Sequence, residues 1–89
     1  MDALNLDIIT PDATVYSGKV ESVTVPGSEG RFQVLKNHAP IISTLTEGPL
    51  KFKTMDQEEH LFRASGGVVE VLKNKVIVLV ESIQRVEAN

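Results

Sequence analysis

Two histidines are the side chains of this sequence best suited to acid–base or metal chemistry near neutral pH. His38 lies two residues before Pro40, and His60 follows two glutamates. No other His, Asp or Glu stands at a spacing typical of metal ligands, so the sequence indicates no metal site. Cysteine is absent, which excludes thiolate ligands, disulfides and a cysteine nucleophile. No serine or threonine occupies a nucleophile elbow, and we expect no catalytic residue and no cofactor.

The two histidines therefore have mainly structural or binding interpretations. A loop histidine such as His38 commonly hydrogen-bonds the backbone, and it can equally be exposed for contact with another protein. His60, beside Glu58 and Glu59, is typical of a solvated charge cluster. Neither has a nucleophile at workable spacing, which disfavours a hydrolase.

The segment Gly27–Gly30, with the sequence G-S-E-G, superficially resembles a phosphate-binding loop. It lacks the lysine and the helix N-terminus that hold phosphate in such loops, and the carboxylate of Glu29 would repel an anion. We therefore predict a tight turn between two strands, which begins at a structural glycine. Gly48 is a second predicted turn residue, and the pair Gly66-Gly67 indicates a bulge or a close backbone approach.

Length and composition restrict the class of protein. A chain of 89 residues is sufficient for one domain, residues 1–89, but not for two. The net charge of −3 and the scarcity of aromatic residues argue against nucleic-acid binding. The longest apolar run, Val76–Val80, is far shorter than the ~20 residues of a membrane-spanning helix. The N-terminus lacks the basic region of a secretory signal, so we expect a soluble, cytosolic protein that does not insert into a membrane.

Apolar residues recur with a period of two along most of the chain, which indicates half-buried strands. The clearest case is a hairpin whose arms, Val68–Leu72 and Val76–Val80, flank Lys73–Lys75. The central Asn74 tolerates the positive φ that a tight turn needs. Turn residues separate about eight to ten such strands, a pattern typical of all-β sandwiches and barrels.

Two segments carry weaker expectations. The strand that contains Tyr16 is predicted to be interrupted at Ser17-Gly18, where strand propensity is low. The tail Ser82–Asn89, with Ile83 and Val86 three positions apart, is the only segment whose pattern allows a helix.

Several short motifs occur in an order and at spacings that resemble the epsilon subunit of bacterial F-type ATP synthases, called delta in mitochondria. The resemblance covers the whole chain. The motifs are Gly27-x-x-Gly30, His38-x-Pro40, Gly48-Pro49 and Ser65-Gly66-Gly67-Val68-Val69-Glu70-Val71, together with Leu4–Ile9, Thr10-Pro11, Tyr16-Ser17-Gly18 and Val20-Glu21.

The resemblance implies a flattened β-sandwich of two roughly five-stranded sheets. It implies a non-catalytic rotor subunit of the central stalk, which couples the c-ring to the gamma subunit during proton-driven ATP synthesis. The implied partners are the gamma subunit and the polar loops of the c-ring. The implied location is peripheral, at the cytoplasmic face of the energy-transducing membrane, which is the inner or plasma membrane in bacteria.

The resemblance also implies two sets of contact residues. The loop that faces the c-ring corresponds to Ser28, Glu29, Gly30 and Arg31, and Arg31 stands where relatives often carry an acidic residue. The positions that face the gamma subunit correspond to Thr10, His38 and Ser43, with Ala39, Pro40 and Ile42 beside them.

Many bacterial relatives continue into a C-terminal helical hairpin that can inhibit ATP hydrolysis and, in some, binds ATP. This sequence ends at Asn89. It is similar to the short forms of the family, which implies no hairpin-type inhibition and no nucleotide site.

A β-sandwich that binds a small ligand or a carbohydrate is the alternative interpretation. Such a protein needs a concave apolar pocket with convergent polar groups, and usually aromatic rings on which a sugar stacks. The chain offers only one tyrosine and three phenylalanines, which disfavours this alternative.

Overall fold

A computed structural model of the chain describes residues 3–86, which form nine β-strands and no helix. Residues 1, 2 and 87–89 of the predicted domain lie outside this description. The strands are β1 (Leu4–Ile9), β2 (Thr14–Gly27), β3 (Gly30–Leu35), β4 (Ile41–Leu45), β5 (Gly48–Thr54), β6 (Glu59–Ala64), β7 (Gly67–Leu72), β8 (Lys75–Val80) and β9 (Ile83–Arg85).

The strands form two layers, and the long strand β2 belongs to both. Sheet one has the order β4-β7-β8-β1-β2 and uses the first half of β2. Sheet two has the order β3-β2-β5-β6-β9 and uses the second half. Neighbouring strands are antiparallel except β1 and β8, which run parallel. The predicted all-β sandwich of two roughly five-stranded sheets is confirmed.

An irregularity in β2 lets this strand change from one sheet to the other. Its register with β5 shifts between Val20 and Ser22. Val20 and Val23 are both fully buried although they lie three positions apart, which a regular strand of period two does not allow. The extra residue restores the inward direction of the side chains in the second half of β2.

The core lies between the sheets and is built from alternate apolar positions of the strands. Among the described residues, no polar or charged side chain is buried. The buried side chains are Leu4, Leu6, Ile8, Val20, Val23, Val25, Val34, Leu45, Leu50, Phe52, Phe62, Ala64, Val69, Val71, Val76, Val78 and Val80.

Two expectations of local structure are wrong. Gly18 does not interrupt a strand, because it pairs with Leu6 of β1 inside the continuous strand β2. The tail is not helical where the structure describes it, since Ile83–Arg85 forms β9 and pairs with Ala64–Phe62 of β6. Cross-strand pairing overrides the weak local preferences in both cases. Residues 87–89 of the tail lie outside the described part of the chain.

Candidate functional site

The predicted ring-facing residues occupy the tip of the β2–β3 hairpin. Ser28 and Glu29 form a two-residue turn between the paired glycines Gly27 and Gly30. A side chain at Gly27 would lie 2.6 Å from the carbonyl oxygen of Gly30 and 2.8 Å from the ring of Phe32. Gly30 has a φ of 134°, which other residues rarely adopt. The turn therefore requires a glycine on each side.

Hydrogen bonds hold this hairpin tip against β4. The backbone N–H of Ser28 donates to the carbonyl oxygen of Thr44 at 2.9 Å. The hydroxyl of Thr44 donates to the hydroxyl of Ser28 at 2.7 Å. A nearby bond runs from the N–H of Thr46 to the carbonyl oxygen of Pro26 at 2.9 Å. The tip is exposed and polar, yet its position relative to sheet one is fixed.

An open groove of about 760 Å³ runs between the hairpin and β4. It brings the two predicted contact sets together, since Glu29, Gly30 and Arg31 line it along with His38 and Ser43. Phe32 and Ile41 also line the groove and are only partly buried. The family resemblance assigned these sets to separate partners, and nothing in the sequence indicated that they share one groove.

His38 belongs to the loop that connects β3 in sheet two with β4 in sheet one. Its backbone N–H donates to the carbonyl oxygen of Leu35 at 3.1 Å. Its ring Nδ1 lies 2.6 Å from the carbonyl oxygen of Ala39, as expected of an Nδ1–H donor. The backbone-bonding interpretation of His38 is thus correct for one ring nitrogen, while the partly exposed ring also lines the groove.

The predicted gamma-facing residues of β4 point in opposite directions. Ile42 projects from the outer face of sheet one and is 72% exposed. Ser43 points toward the other side, and its hydroxyl donates to the carbonyl oxygen of Thr44 at 3.0 Å. Both residues contribute to the lining of the groove. Ala39 and Pro40 are exposed just before this strand. These residues therefore border two surfaces, the groove and the outer face.

Thr10 lies apart from the other predicted contact residues. In the turn after β1, the N–H of Thr10 donates to the carbonyl oxygen of Ala13 at 2.9 Å, and the N–H of Ala13 donates to the carbonyl oxygen of Thr10 at 3.3 Å. Thr10 lines a shallow depression of about 290 Å³ together with Gly66, Gly67 and Leu79. The depression spans the ends of β1 and β8 and the start of β7, and Thr10 itself is separated from β4 by β8 and β7.

The outer face of sheet one lies between these two regions and carries several exposed or half-buried aliphatic side chains among polar ones. One cross-strand row contains Thr44, Val68, Leu79 and Ile9, and in the next row the aliphatic Ile42 and Ile77 alternate with the acidic Glu70 and Asp7. Val68, Leu72 and Leu79 are exposed. The sequence reasoning missed these residues, although β7 and β8 carry apolar residues on both faces. Such runs are typical of strands that are covered on both sides.

The outer face of sheet two has a different character. It carries Lys51, Lys53, Glu59 and Arg63, and two ion pairs lie on it or at its margin. Lys51 Nζ is 3.8 Å from a Glu59 carboxylate oxygen, and Arg63 Nε is 3.7 Å from Glu47. These exposed pairs contribute little stability. The two outer faces therefore differ, because aliphatic side chains are frequent on that of sheet one and charged side chains are frequent on that of sheet two.

Groups that could perform chemistry do not converge on any of these surfaces. Among residues 3–86, no three His, Cys, Asp or Glu side chains cluster as metal ligands would. The ring of His60 instead meets the guanidinium of Arg85 at 3.1 Å and the carboxylate of Glu58 at 3.6 Å. Within the same part of the chain we find no helix capable of spanning a membrane.

The aromatic rings do not form a platform for a sugar. Phe52 and Phe62 are buried, and their ring centroids are 5.9 Å apart. Tyr16 packs against Phe52 with centroids 4.4 Å apart. Phe32 is partly buried against the core. No observation therefore favours the carbohydrate-binding alternative.

Comparison with known proteins identifies similar sequences. Residues 3–86 match the family described as ATP synthase, Delta/Epsilon chain, beta-sandwich domain. The chain is 43% identical over 81 residues to an ATP synthase epsilon chain of Chlorobaculum tepidum, covering 91% of this chain and 92% of the relative. It is 47% identical over 85 residues to the ATP synthase epsilon chain of Nitratidesulfovibrio vulgaris strain DP4, covering 96% of this chain and 63% of that longer relative.

Solved structures of two mitochondrial assemblies contain a similar fold. A chain in the cryo-EM structure of Euglena gracilis ATP synthase, OSCP/F1/c-ring in rotational state 1, superposes with a TM-score of 0.89 at 20% identity. A chain in the Tetrahymena thermophila ATP synthase central stalk/c-ring structure gives 0.78 at 18% identity. The matches cover 93% and 92% of this chain but only 53% and 66% of those chains. At these identities the likeness concerns the fold alone.

Proposed function

Since the chain belongs to the family of ATP synthase delta and epsilon chains, represented by its β-sandwich domain, we propose that it is an accessory, non-catalytic subunit of the central stalk of an F-type ATP synthase. In this role it couples the c-ring to the gamma subunit during proton-driven ATP synthesis. It lies peripherally at the cytoplasmic face of the energy-transducing membrane.

The observation that carries this proposal is the set of exposed aliphatic side chains on the outer face of sheet one. Its exposed aliphatic side chains include Ile42, Val68 and Leu79. A permanent interface resembles a protein core in composition and covers such residues from water. We therefore assign this face, with the flanking predicted residues His38, Ala39, Pro40 and Thr10, to the gamma subunit.

The hairpin tip is the surface assigned to the c-ring. Ser28, Glu29, Gly30 and Arg31 are exposed, and the tip offers charges of both signs to a partner with polar loops. The bonds between Ser28 and Thr44 tie the tip to β4, which also carries Ile42. Force applied at the tip is thereby transmitted directly to the strand assigned to gamma.

The fold suits a part that transmits torque. Close-packed protein interiors resist deformation, and the core here is continuous between the two sheets. The strand β2 runs from one sheet into the other, so the two layers are also joined covalently. A rigid body with two contact surfaces is sufficient for coupling, and no bond chemistry is required of it.

Size-exclusion chromatography of this chain mixed with its cognate gamma subunit tests the proposal. We expect a complex that elutes earlier than either component, and we expect retention of the complex on detergent-solubilised c-ring. If the chain elutes alone at micromolar concentrations of both proteins, the assignment to the central stalk is wrong.

A further inference from the structure

Asn74 makes the hydrogen bonds that join the β3–β4 loop to the rest of the fold. The backbone N–H of Asn37 donates to Asn74 Oδ1 at 2.6 Å, and Asn74 Nδ2 donates to Asn37 Oδ1 at 3.3 Å. Among residues 3–86, these are the only hydrogen bonds found that connect loop residues 36–40 with the hairpin of β7 and β8 or with any other element outside β3 and β4. The other loop bonds connect His38 only with Leu35 and Ala39.

The backbone of Asn74 is itself firmly held. Lys73 and Asn74 form the two-residue turn between β7 and β8, with φ values of 51° and 64°. Positive φ at both positions is what a type I′ hairpin turn requires, and asparagine tolerates it well. The carbonyl oxygen of Asn74 also accepts the N–H of Asn5 in β1 at 2.9 Å. The side-chain amide therefore projects from a rigid support in sheet one.

Asn37 needs such a support. It is exposed, and although asparagine tolerates its φ of 67°, nothing in the residue itself fixes that conformation. It stands immediately before His38 in a loop of five residues that crosses from sheet two to sheet one. Without an external bond, a short exposed loop of this kind samples several conformations.

We propose that Asn74 is a positioning residue for partner binding. Its side-chain amide fixes Asn37 and thereby presets the loop residues His38, Ala39 and Pro40 in the conformation that the partner protein meets. The inference rests on the proposed function in one respect, since the partner it serves is the gamma subunit. A preset loop does not lose conformational freedom on binding, so the affinity of the complex is higher.

The variant Asn74→Gly tests this positioning role. Glycine adopts positive φ without strain, so the hairpin turn is kept while both side-chain hydrogen bonds are lost. We expect the amide of Asn37 to exchange its hydrogen about threefold to tenfold faster, as for the loss of one hydrogen bond. We expect the affinity for the gamma subunit to fall by a similar factor, while the isolated chain still unfolds in one cooperative transition.

Two further variants make the test specific. Asn74→Asp retains the acceptor oxygen for the N–H of Asn37, so it is expected to keep that amide protected and to bind gamma more tightly than Asn74→Gly. Lys73→Gly alters the same turn without removing either hydrogen bond, and both readouts are expected to remain at the wild-type level.

The outcomes separate this inference from the proposed function. If the amide of Asn37 exchanges its hydrogen at the same rate in Asn74→Gly as in the wild type, Asn74 does not brace the loop. This result is independent of which partner the chain binds. Faster exchange with unchanged affinity overturns the role in binding. If the wild-type chain fails to bind gamma, the proposed function is wrong and the positioning role for that partner is wrong with it, while hydrogen exchange still decides whether Asn74 braces the loop.

Discussion

The ring of Tyr16 in sheet one packs against the ring of Phe52 in sheet two, with centroids 4.4 Å apart and planes inclined at 41°. Phe52 is also stacked on His60 and Phe62, at 5.0 and 5.9 Å. One buried side chain thus links β2, β5 and β6 across the sandwich. Aromatic pairs contribute beyond the apolar area that they bury.

Replacement of Phe52 is expected to lower the stability of the whole domain. Phe52→Ala leaves a large cavity and should lower the free energy of unfolding by about 3–5 kcal/mol. Phe52→Leu retains most of the apolar volume and should cost less than Phe52→Ala. Urea titrations followed by circular dichroism measure both values. If the two variants are equally stable, the cavity argument fails.

The adjacent glycines Gly66 and Gly67, at the start of β7, are expected to differ in their tolerance of a methyl group. A Cβ at Gly67 would overlap the carbonyl oxygen of Leu79 and lie 2.9 Å from Val80 Cγ1. A Cβ at Gly66 would meet only the carbonyl oxygen of Leu45, at 3.0 Å. Since β7 and β8 cannot separate without breaking their ladder, Gly67→Ala should cost about 3 kcal/mol.

Gly66→Ala is the matched control, and its cost should stay within about 1 kcal/mol. Thermal unfolding of both variants provides the comparison. A greater loss of stability in Gly66→Ala than in Gly67→Ala would show that the crowding lies on the other side of the pair.

Introduction of a charge at Ile42 is expected to disrupt the complex with gamma while leaving the fold intact. The side chain is 72% exposed in the isolated chain, so aspartate is tolerated there. In an apolar interface the same carboxylate would be desolvated without a partner, which should weaken association by about 2 kcal/mol or more. Isothermal titration with purified gamma measures this loss.

Leu61→Asp provides the control for Ile42→Asp. Leu61 is an aliphatic residue of β6 that is 39% exposed on the solvated outer face of sheet two. The substitution should leave the affinity for gamma unchanged. If Leu61→Asp weakens the complex and Ile42→Asp does not, gamma binds the opposite face of the sandwich.

Arg85 is expected to stabilise the short strand β9. Its guanidinium lies 4.9 Å from the centre of the Phe62 ring and 3.1 Å from His60 Nδ1. Loss of both contacts in Arg85→Ala should lower the free energy of unfolding by about 0.5–1 kcal/mol. The neighbouring Gln84→Ala lacks these contacts and should be neutral. Equal effects of the two substitutions in urea titrations would contradict this role.

The hairpin of β7 and β8 illustrates what local pattern predicts well. Its arms are rich in β-branched residues, and Asn74 was expected in a tight turn. The structure confirms the hairpin, with the turn shortened to Lys73 and Asn74 because Lys75 pairs with Leu72. Such pairing is local, so the signal is contained in a short window of sequence.

Gly18 and the tail illustrate where local pattern fails. The neighbours of a residue with low strand propensity do not indicate whether a distant strand is available to pair with that residue. Gly18 is ordered in β2 because Leu6 lies beside it, and Ile83–Arg85 is extended because β6 offers an open edge. Non-local hydrogen bonds decided both conformations.

The amino-acid sequence by itself determined that this chain is an all-β domain, because alternation and turn residues act over a few positions. The order of its short motifs carried the resemblance to a family. Only the tertiary structure decided that the hairpin tip and His38 share one groove and that Asn74 holds Asn37 from another strand pair. Those relationships depend on strand order and register. They arise from contacts between residues far apart in the chain, which no short segment encodes.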